Sequence, residues 1–305
     1  MTQRDVRNRI ASVTNIQKIT RAMEMVAAAR LRRAEQRIEA LRPYAGALRR
    51  MTRQAAEAAD NVPNLPILNE HDSENVVGLL FVTGDRGLAG AFNSQIIRAG
   101  LRAAAKHESE GRTIAAYASG RRGVSSLSFR GHQAVGAYTG FTDRPAYANA
   151  REIAEDLITA YVDGDVDRVE IFYNGYVSPL TQVVRRETLL PLQQASVLEE
   201  DDPHGDEGEH EPSEPASEHR ALVEYEPDPE EILRRLVPDY VEISLYRALL
   251  ESTASEHGAR MTAMRNASQN AGEVIEDLTL EMNRARQAEI TQEIMEVVAG
   301  AEALS

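Results

Sequence analysis

The sequence predicts an α/β domain inserted between two long helices that pair with each other as an antiparallel coiled coil. Three observations predict it. Both ends of the 305-residue chain carry apolar residues in steps of three and four, with almost no proline or glycine to interrupt them. The middle switches to short apolar runs alternating with helical stretches, the pattern of strands joined by crossover helices. The two ends also differ in charge: residues 1–60 hold 13 Lys or Arg against 6 Asp or Glu, and residues 240–305 hold 5 against 11.

Within residues 1–60, Val6, Ile10, Val13, Ile16, Ile19, Met23 and Val26 form one apolar stripe, and Ala27, Leu31, Ala34, Ile38, Leu41, Ala45 and Leu48 continue it. Thr2 and Asp5 stand at capping-box spacing at its start. Pro43 is expected to bend or break the helix, because its ring lacks an N–H and crowds the preceding turn; residues 61–66 are expected to end it.

Between about 70 and 239, strands are expected at 76–83, 113–118, 133–138, 169–173 and 182–189, with helices over 89–107 and 145–161. From 240 to 305 proline is absent, and Leu250, Ala254, His257, Met261, Met264, Ser268, Ala271, Ile275, Leu278, Met282 and Ala285 mark a second long seam. Sixty helical residues reach roughly 90 Å, whereas a domain of about 100 residues has a radius of gyration near 13 Å. Such helices protrude. One leads into the middle domain and the other leaves it, so they pair antiparallel, and their opposite charges favour that pairing over self-association.

Residues 199–218 contain 10 acids and no Lys or Arg, with prolines at 203, 212 and 215. Too little apolar surface is available there to offset ordering entropy, and a disordered acidic loop is expected, with contact to a basic partner or a divalent ion as the alternative. The total charge of −14 therefore owes much to one local run. Cysteine is absent, which excludes disulfides and thiolate metal sites. No apolar stretch approaches the roughly 20 residues that span a bilayer. The N-terminus has no apolar signal core and carries an early acid, which points to a cytoplasmic chain.

The segment VTGDRGLAGAFNS places Gly84, Gly87 and Gly90 between a strand and a helix, where a phosphate can sit. Neither the dinucleotide nor the P-loop spacing is present, and a tight turn with close helix packing explains the glycines more simply. His204, His210 and His219 match no zinc spacing, and His257 on the helical seam reads as a packed or partner-facing side chain. The basic N-terminal helix, with Arg4, Arg7, Arg9, Lys18, Arg21, Arg30, Arg32 and Arg33, resembles a nucleic-acid arm only in charge. The chain is acidic overall and no aromatic residue precedes Tyr44, so contacts to acidic protein partners, or a solvated helix face, fit better. No catalytic dyad, triad or metal cluster emerges. A nucleotide-dependent enzyme built on the middle domain and a coiled-coil nucleic-acid adaptor are the competing functional classes.

Three segments carry a resemblance: RNRIASVTNIQKITRAMEMVAAARLRRAEQR near the start, FVTGDRGLAGAFNS in the middle, and SEHGARMTAMRNASQNAGEVIEDLTLEMNRARQAEITQEIMEVVAGAEAL at the end. Together they resemble the gamma subunit of F-type ATP synthases, over nearly the whole chain apart from the acidic loop. The resemblance implies a non-catalytic central shaft. Its coiled coil enters a head of alpha and beta subunits, and a Rossmann-like α/β base meets the epsilon subunit and the membrane ring of c subunits. Catalytic residues and nucleotides then belong to alpha and beta, so no cofactor, metal or nucleic acid is expected on this chain, which sits peripherally at the cytoplasmic face of a bacterial cell membrane.

By the same resemblance, Lys18, Arg21 and Met23 face the moving acidic lever of beta. Arg286, Gln287 and Thr291 engage the catch loops of the head, and Glu296 with Ile294, Val297 and Val298 lies in its bearing sleeve. Two positions depart from the family: Gly84 stands where Ser or Thr is frequent, and Glu289 where a small residue is common.

Overall fold

The computed structural model describes residues 3–58, 65–192 and 229–302. The first helix, α1, is Gln3–Ala58 and the last, α5, is Pro229–Glu302, with 56 and 74 residues respectively. At about 1.5 Å per residue they are roughly 84 and 111 Å long. Rising numbers on α1 meet falling numbers on α5. Leu31 and Ala34 pack with Ala254 and Met261, Glu24 pairs with Arg265 at 2.9 Å, and the Gln17 side-chain amide donates to the Ser268 carbonyl at 3.4 Å. The pair is antiparallel.

Two expectations about the helices change. Pro43 lies inside α1 without interrupting it, and α5 starts at Pro229, ahead of the expected 240, and runs through Pro238. Burial on both sides of each proline, at Ala34 and Leu48 in α1 and at Leu233 and Val241 in α5, holds the flanking turns despite one missing backbone bond. The acidic segment 199–218 lies outside the described residues.

The seam of α1 also differs from the expected stripe. Ile16, Ile19 and Val26 are more than half exposed, at 53%, 58% and 53%, while Thr20 and Ala27 are buried and Gln17 is half-buried. The buried line runs Val6, Ile10, Val13, Gln17, Thr20, Glu24, Ala27, Leu31 and Ala34, an unbroken alternation of four and three. Tracking apolar identity instead of heptad spacing shifts the stripe by one residue between Val13 and Ala27. The polar seam residues are satisfied locally: Thr20 donates to the Gln17 carbonyl at 3.0 Å and Gln17 reaches across to α5.

Between the long helices lie β1 (Val76–Val82), α2 (Phe92–Ser109), β2 (Thr113–Ser119), α3 (Arg121–Phe129), β3 (Ala134–Tyr138), α4 (Tyr147–Val162), β4 (Arg168–Tyr176) and β5 (Gln182–Leu190). The sheet order is β3-β2-β1-β4-β5, parallel except for β5. α3 is not anticipated by sequence; it is only nine residues long, and its three serines and one glycine are weak helix formers.

Alternate side chains of the central strands face two cores. Val77, Leu79, Phe81 and Phe172 meet α2 and α3, whereas Leu80, Val82, Ile171 and Tyr173 meet α4 and the Val237–Leu249 stretch of α5. α5 is thus at once a layer of the base domain and a strand of the coil. Gly100 lets α2 sit on the sheet, since a Cβ there would fall 2.2 Å from the Phe81 ring.

Candidate functional site: the shaft surface and its anchor on the sheet

In open α/β sheets the crevice at the carboxyl ends of the strands, where strand order reverses, is the usual ligand site. Here that point lies between β1 and β4, and α5 crosses it. Ser255 donates to the carbonyl of Asn174 at 3.0 Å, Thr253 to that of Thr142 at 2.9 Å, and Ser252 to that of Val82 at 3.4 Å. Hydroxyls inside a helix that reach foreign carbonyls satisfy strand-end groups that would otherwise be buried without partners.

One turn further along, Glu256 is 2% exposed, lies against Gly84 and accepts from Arg260 at 2.5 Å. Arg260 also donates to the Gly87 carbonyl at 3.3 Å. Burial raises the Glu256 pKa against the pull of Arg260. His257 is 1% exposed; burial and the neighbouring Arg260 push its pKa down to about 4, so the ring is neutral at physiological pH. It is a packed residue of the anchor.

The loop after β1 is spoken for in the same way. The Gly84 amide donates to Asn93 Oδ1 at 2.8 Å and the Asp85 amide to Thr142 Oγ1 at 2.8 Å. The Asp85 carboxylate accepts from the amides of Gly140, Thr142 and Arg121 at 2.9, 3.2 and 3.1 Å. Burial alone would raise its pKa, but these donors together bring it below the usual carboxylate range. The glycine-rich loop therefore binds its own neighbours, fixing the β3–α4 connection to β1.

Two further ties join α1 to the base: Arg30 pairs with Asp143, which Arg86 also approaches at 3.4 Å, and Tyr176 donates to Glu35. Glu256, Arg260, Asp143 and Arg30 were not singled out from sequence as an anchor. The available signal is the run Ser252–His257, polar side chains on a seam whose neighbours are apolar.

Away from the anchor, the shaft is a surface. Lys18 and Arg21 are exposed and Met23 is half-buried, flanked by exposed Ile16, Ile19, Met25 and Val26. Toward the end of α5, every residue from Arg286 to Ala299 is exposed, including Arg286, Gln287, Thr291 and Glu296. Ile290, Ile294, Met295, Val297 and Val298 are 48–73% exposed there. Clustered exposed apolar side chains on one element mark an interaction surface. The two sets lie on different stretches of the shaft. Among the described residues no group of His, Cys, Asp and Glu is arranged for a metal ion, and no helix is long and apolar enough to cross a membrane.

An α/β base pinned by buried polar contacts to a protruding two-helix shaft with an unpaired apolar tip defines a stalk protein. A family model described as ATP synthase matches residues 2–304. The ATP synthase gamma chain of Streptomyces avermitilis is 43% identical over 303 residues, covering 98% of this chain and 95% of that protein. The gamma chain of Moorella thermoacetica is 44% identical over 301 residues, covering 99% and 98%. The central stalk with c-ring of the Tetrahymena thermophila mitochondrial ATP synthase contains a chain with a TM-score of 0.58 and 26% identity, covering 82% of this chain and 99% of that one. A chain of the Euglena gracilis mitochondrial ATP synthase shares the fold at a TM-score of 0.67 and 19% identity, covering 99% and 94%. The protein belongs to the ATP synthase gamma-chain family; it is a stalk subunit and not the catalytic one.

Proposed function

We propose that this chain is the central shaft of a rotary ATP synthase at the cytoplasmic face of a bacterial cell membrane. It couples ion-driven rotation of a c-ring to ATP synthesis and hydrolysis in a head of alpha and beta subunits, with an epsilon subunit at its base. The observation that carries this reading is the contrast along α5: buried and polar-bonded at Ser252–Arg260, exposed from Ile290 to Val298 with five apolar side chains about half to three-quarters open to solvent. A shaft must be fixed at one end and slide at the other.

Exposed charged groups along the shaft suit asymmetric contacts. Lys18 and Arg21, with Met23 beside them, would meet an acidic lever on beta. Arg286, Gln287 and Thr291 would engage the catch loops, and Glu296 would lie in the bearing sleeve. A shaft with different faces gives each beta subunit a different set of contacts, and only such differential contact shifts a partner between conformations.

Co-expression with alpha and beta subunits tests the reading. A stable complex whose ATP hydrolysis requires this chain is the expected result; an active head that assembles without incorporating it overturns the proposal.

A further inference from the structure

We propose that the groove between α2 and α3 is a docking site for an acidic amphipathic helix of a partner polypeptide. The groove has a volume of about 670 Å³ and lies on the face of the sheet opposite α4 and the Val237–Leu249 stretch of α5. On α2, Arg98 and Arg102 run beside an apolar row of Ile97, Leu101 and Ala105. On α3, Arg122 and Arg130 stand on the facing wall, with Phe129 89% exposed beside Arg130. All four arginines are exposed, and among the described residues none of them forms an ion pair with a carboxylate. Two are nevertheless held in place. Arg130 donates to the Ser126 carbonyl at 3.2 Å, and Arg122 lies against Gly87, where a Cβ would fall 2.9 Å from its Nη2. Elsewhere on the base domain the pattern is the opposite: Arg112, Arg168, Arg186 and Arg247 each have an acidic partner.

The chemistry of the groove selects a helix. Arg98 and Arg102 are four residues, or about 6 Å of helical rise, apart, which is also the spacing of carboxylates at i and i+4 on another helix. An extended peptide would bring backbone N–H and C=O groups that two helical walls, with their own backbone bonds made, leave without partners. A helix satisfies its own. An inorganic anion would meet the arginines and leave Ile97, Leu101 and Phe129 uncovered, and an aliphatic floor gives nucleic-acid bases nothing to stack on beyond Phe129. A helix with carboxylates flanking an apolar stripe covers both kinds of surface.

Charge and position both point to an occupant from another chain. In a protein of net charge −14, an acidic partner is repelled by most of the surface and accepted where cations stand uncompensated. The described residues flanking the acidic segment 199–218 include Leu192, whose amide donates to the Ile67 carbonyl, and Val237 of α5. Both belong to the core on the α4 side, so the groove faces away from them. The proposal concerns a surface separate from the shaft contacts and does not rest on the rotary reading.

The test uses the full chain and a fluorescein-labelled synthetic peptide of about five helical turns, with leucine in alternating steps of three and four and glutamate at the flanking positions. Fluorescence anisotropy is expected to show saturable binding that the same peptide with lysine for glutamate lacks. Affinity is expected to fall about tenfold in Arg102→Glu with Arg130→Glu, and about tenfold in Phe129→Ser. Thermal melts verify the fold of both variants, and Arg102→Ala with Arg130→Ala supplies a milder pair. Absence of binding, or binding unchanged in these variants, overturns the proposal. Displacement by tripolyphosphate or oligodeoxythymidylate at lower concentration than by unlabelled peptide also overturns it, by assigning the groove to a small anion or to nucleic acid. So does a gain in peptide affinity on deletion of residues 199–218 that vanishes in the Arg102→Glu, Arg130→Glu background, by assigning the groove to the chain's own acids.

Discussion

The Glu256 carboxylate covers Gly84 so closely that a Cβ on Gly84 would lie 2.7 Å from its Cδ and 2.8 Å from either oxygen. The contact joins the first strand of the base domain to the shaft helix across a sequence separation that spans the whole sheet. It also accounts for the glycine at this position. Here the carboxylate occupies the space that a side chain would need.

Substituting Gly84 is therefore expected to displace Glu256 from Arg260. Gly84→Ala should destabilise the chain by about 1–3 kcal/mol, the usual cost of overpacking. Gly84→Ser should cost less, because its hydroxyl can donate to the shifted carboxylate. Urea unfolding of the two variants decides; a Ser variant no better than Ala would show that the cost is steric alone.

Two buried glutamates should respond oppositely to pH. Burial would raise the Glu170 pKa, but Arg186 donates twice at 2.7 and 2.9 Å, and with His107 and Arg168 it holds the group below the usual range. Its stabilising contribution is thus present above the unfolded value, near 4.3, and is lost as pH falls through the folded one. Glu251 meets Arg247 and Arg185 only at 3.9 and 4.0 Å, so burial prevails and its pKa is raised. Its contribution is present at low pH and lost as pH rises through the folded value. Glu170→Gln should cost about 1.5–3 kcal/mol at neutral pH by removing the charge from the hydrogen bonds that Arg186 donates to it. Glu251→Gln should change stability at pH 8 by no more than about 1 kcal/mol. Denaturation midpoints at pH 3, 5 and 8 separate the cases: the deficit of Glu170→Gln should shrink between pH 5 and 3, whereas the Glu251→Gln variant should gain on the parent between pH 5 and 8.

The position of the α1 seam gives a third test. Leu31, 4% exposed against Ala254, should lose about 2–4 kcal/mol on truncation to alanine. Ile19, 58% exposed, should lose no more than about 0.5 kcal/mol. Circular dichroism melts of Leu31→Ala and Ile19→Ala report this directly, and equal losses would restore the stripe through Ile19.

Arg286 and Gln287 are exposed beyond the paired part of the coil. Replacing both with alanine is expected to leave stability within about 0.5 kcal/mol of the parent, while coupled ATP synthesis in membranes falls. Each charge-assisted hydrogen bond lost to a partner would weaken the engaged state by about 1.5–3 kcal/mol. Normal synthesis by the double variant would remove these residues from the proposed catch.

Periodicity by itself determined the two long helices and the strand–helix alternation between them, because the repeat of apolar residues is a local property written directly in the chain; the order of the helices and their opposite charges determined the antiparallel pairing. It did not place the seam through Gln17 and Thr20, since polar residues at heptad positions carry no hydrophobic signal and are identified only once α5 lies against them. Nor did it show that Pro43 and Pro238 are tolerated, which packing on the flanking turns decides. The anchor was hidden for the same reason. Gly84, Asp143 and Glu256 are far apart in sequence, and what makes them a site is the close approach of β1, the β3–α4 loop and α5 at the strand ends, where burial turns ordinary polar side chains into obligatory partners.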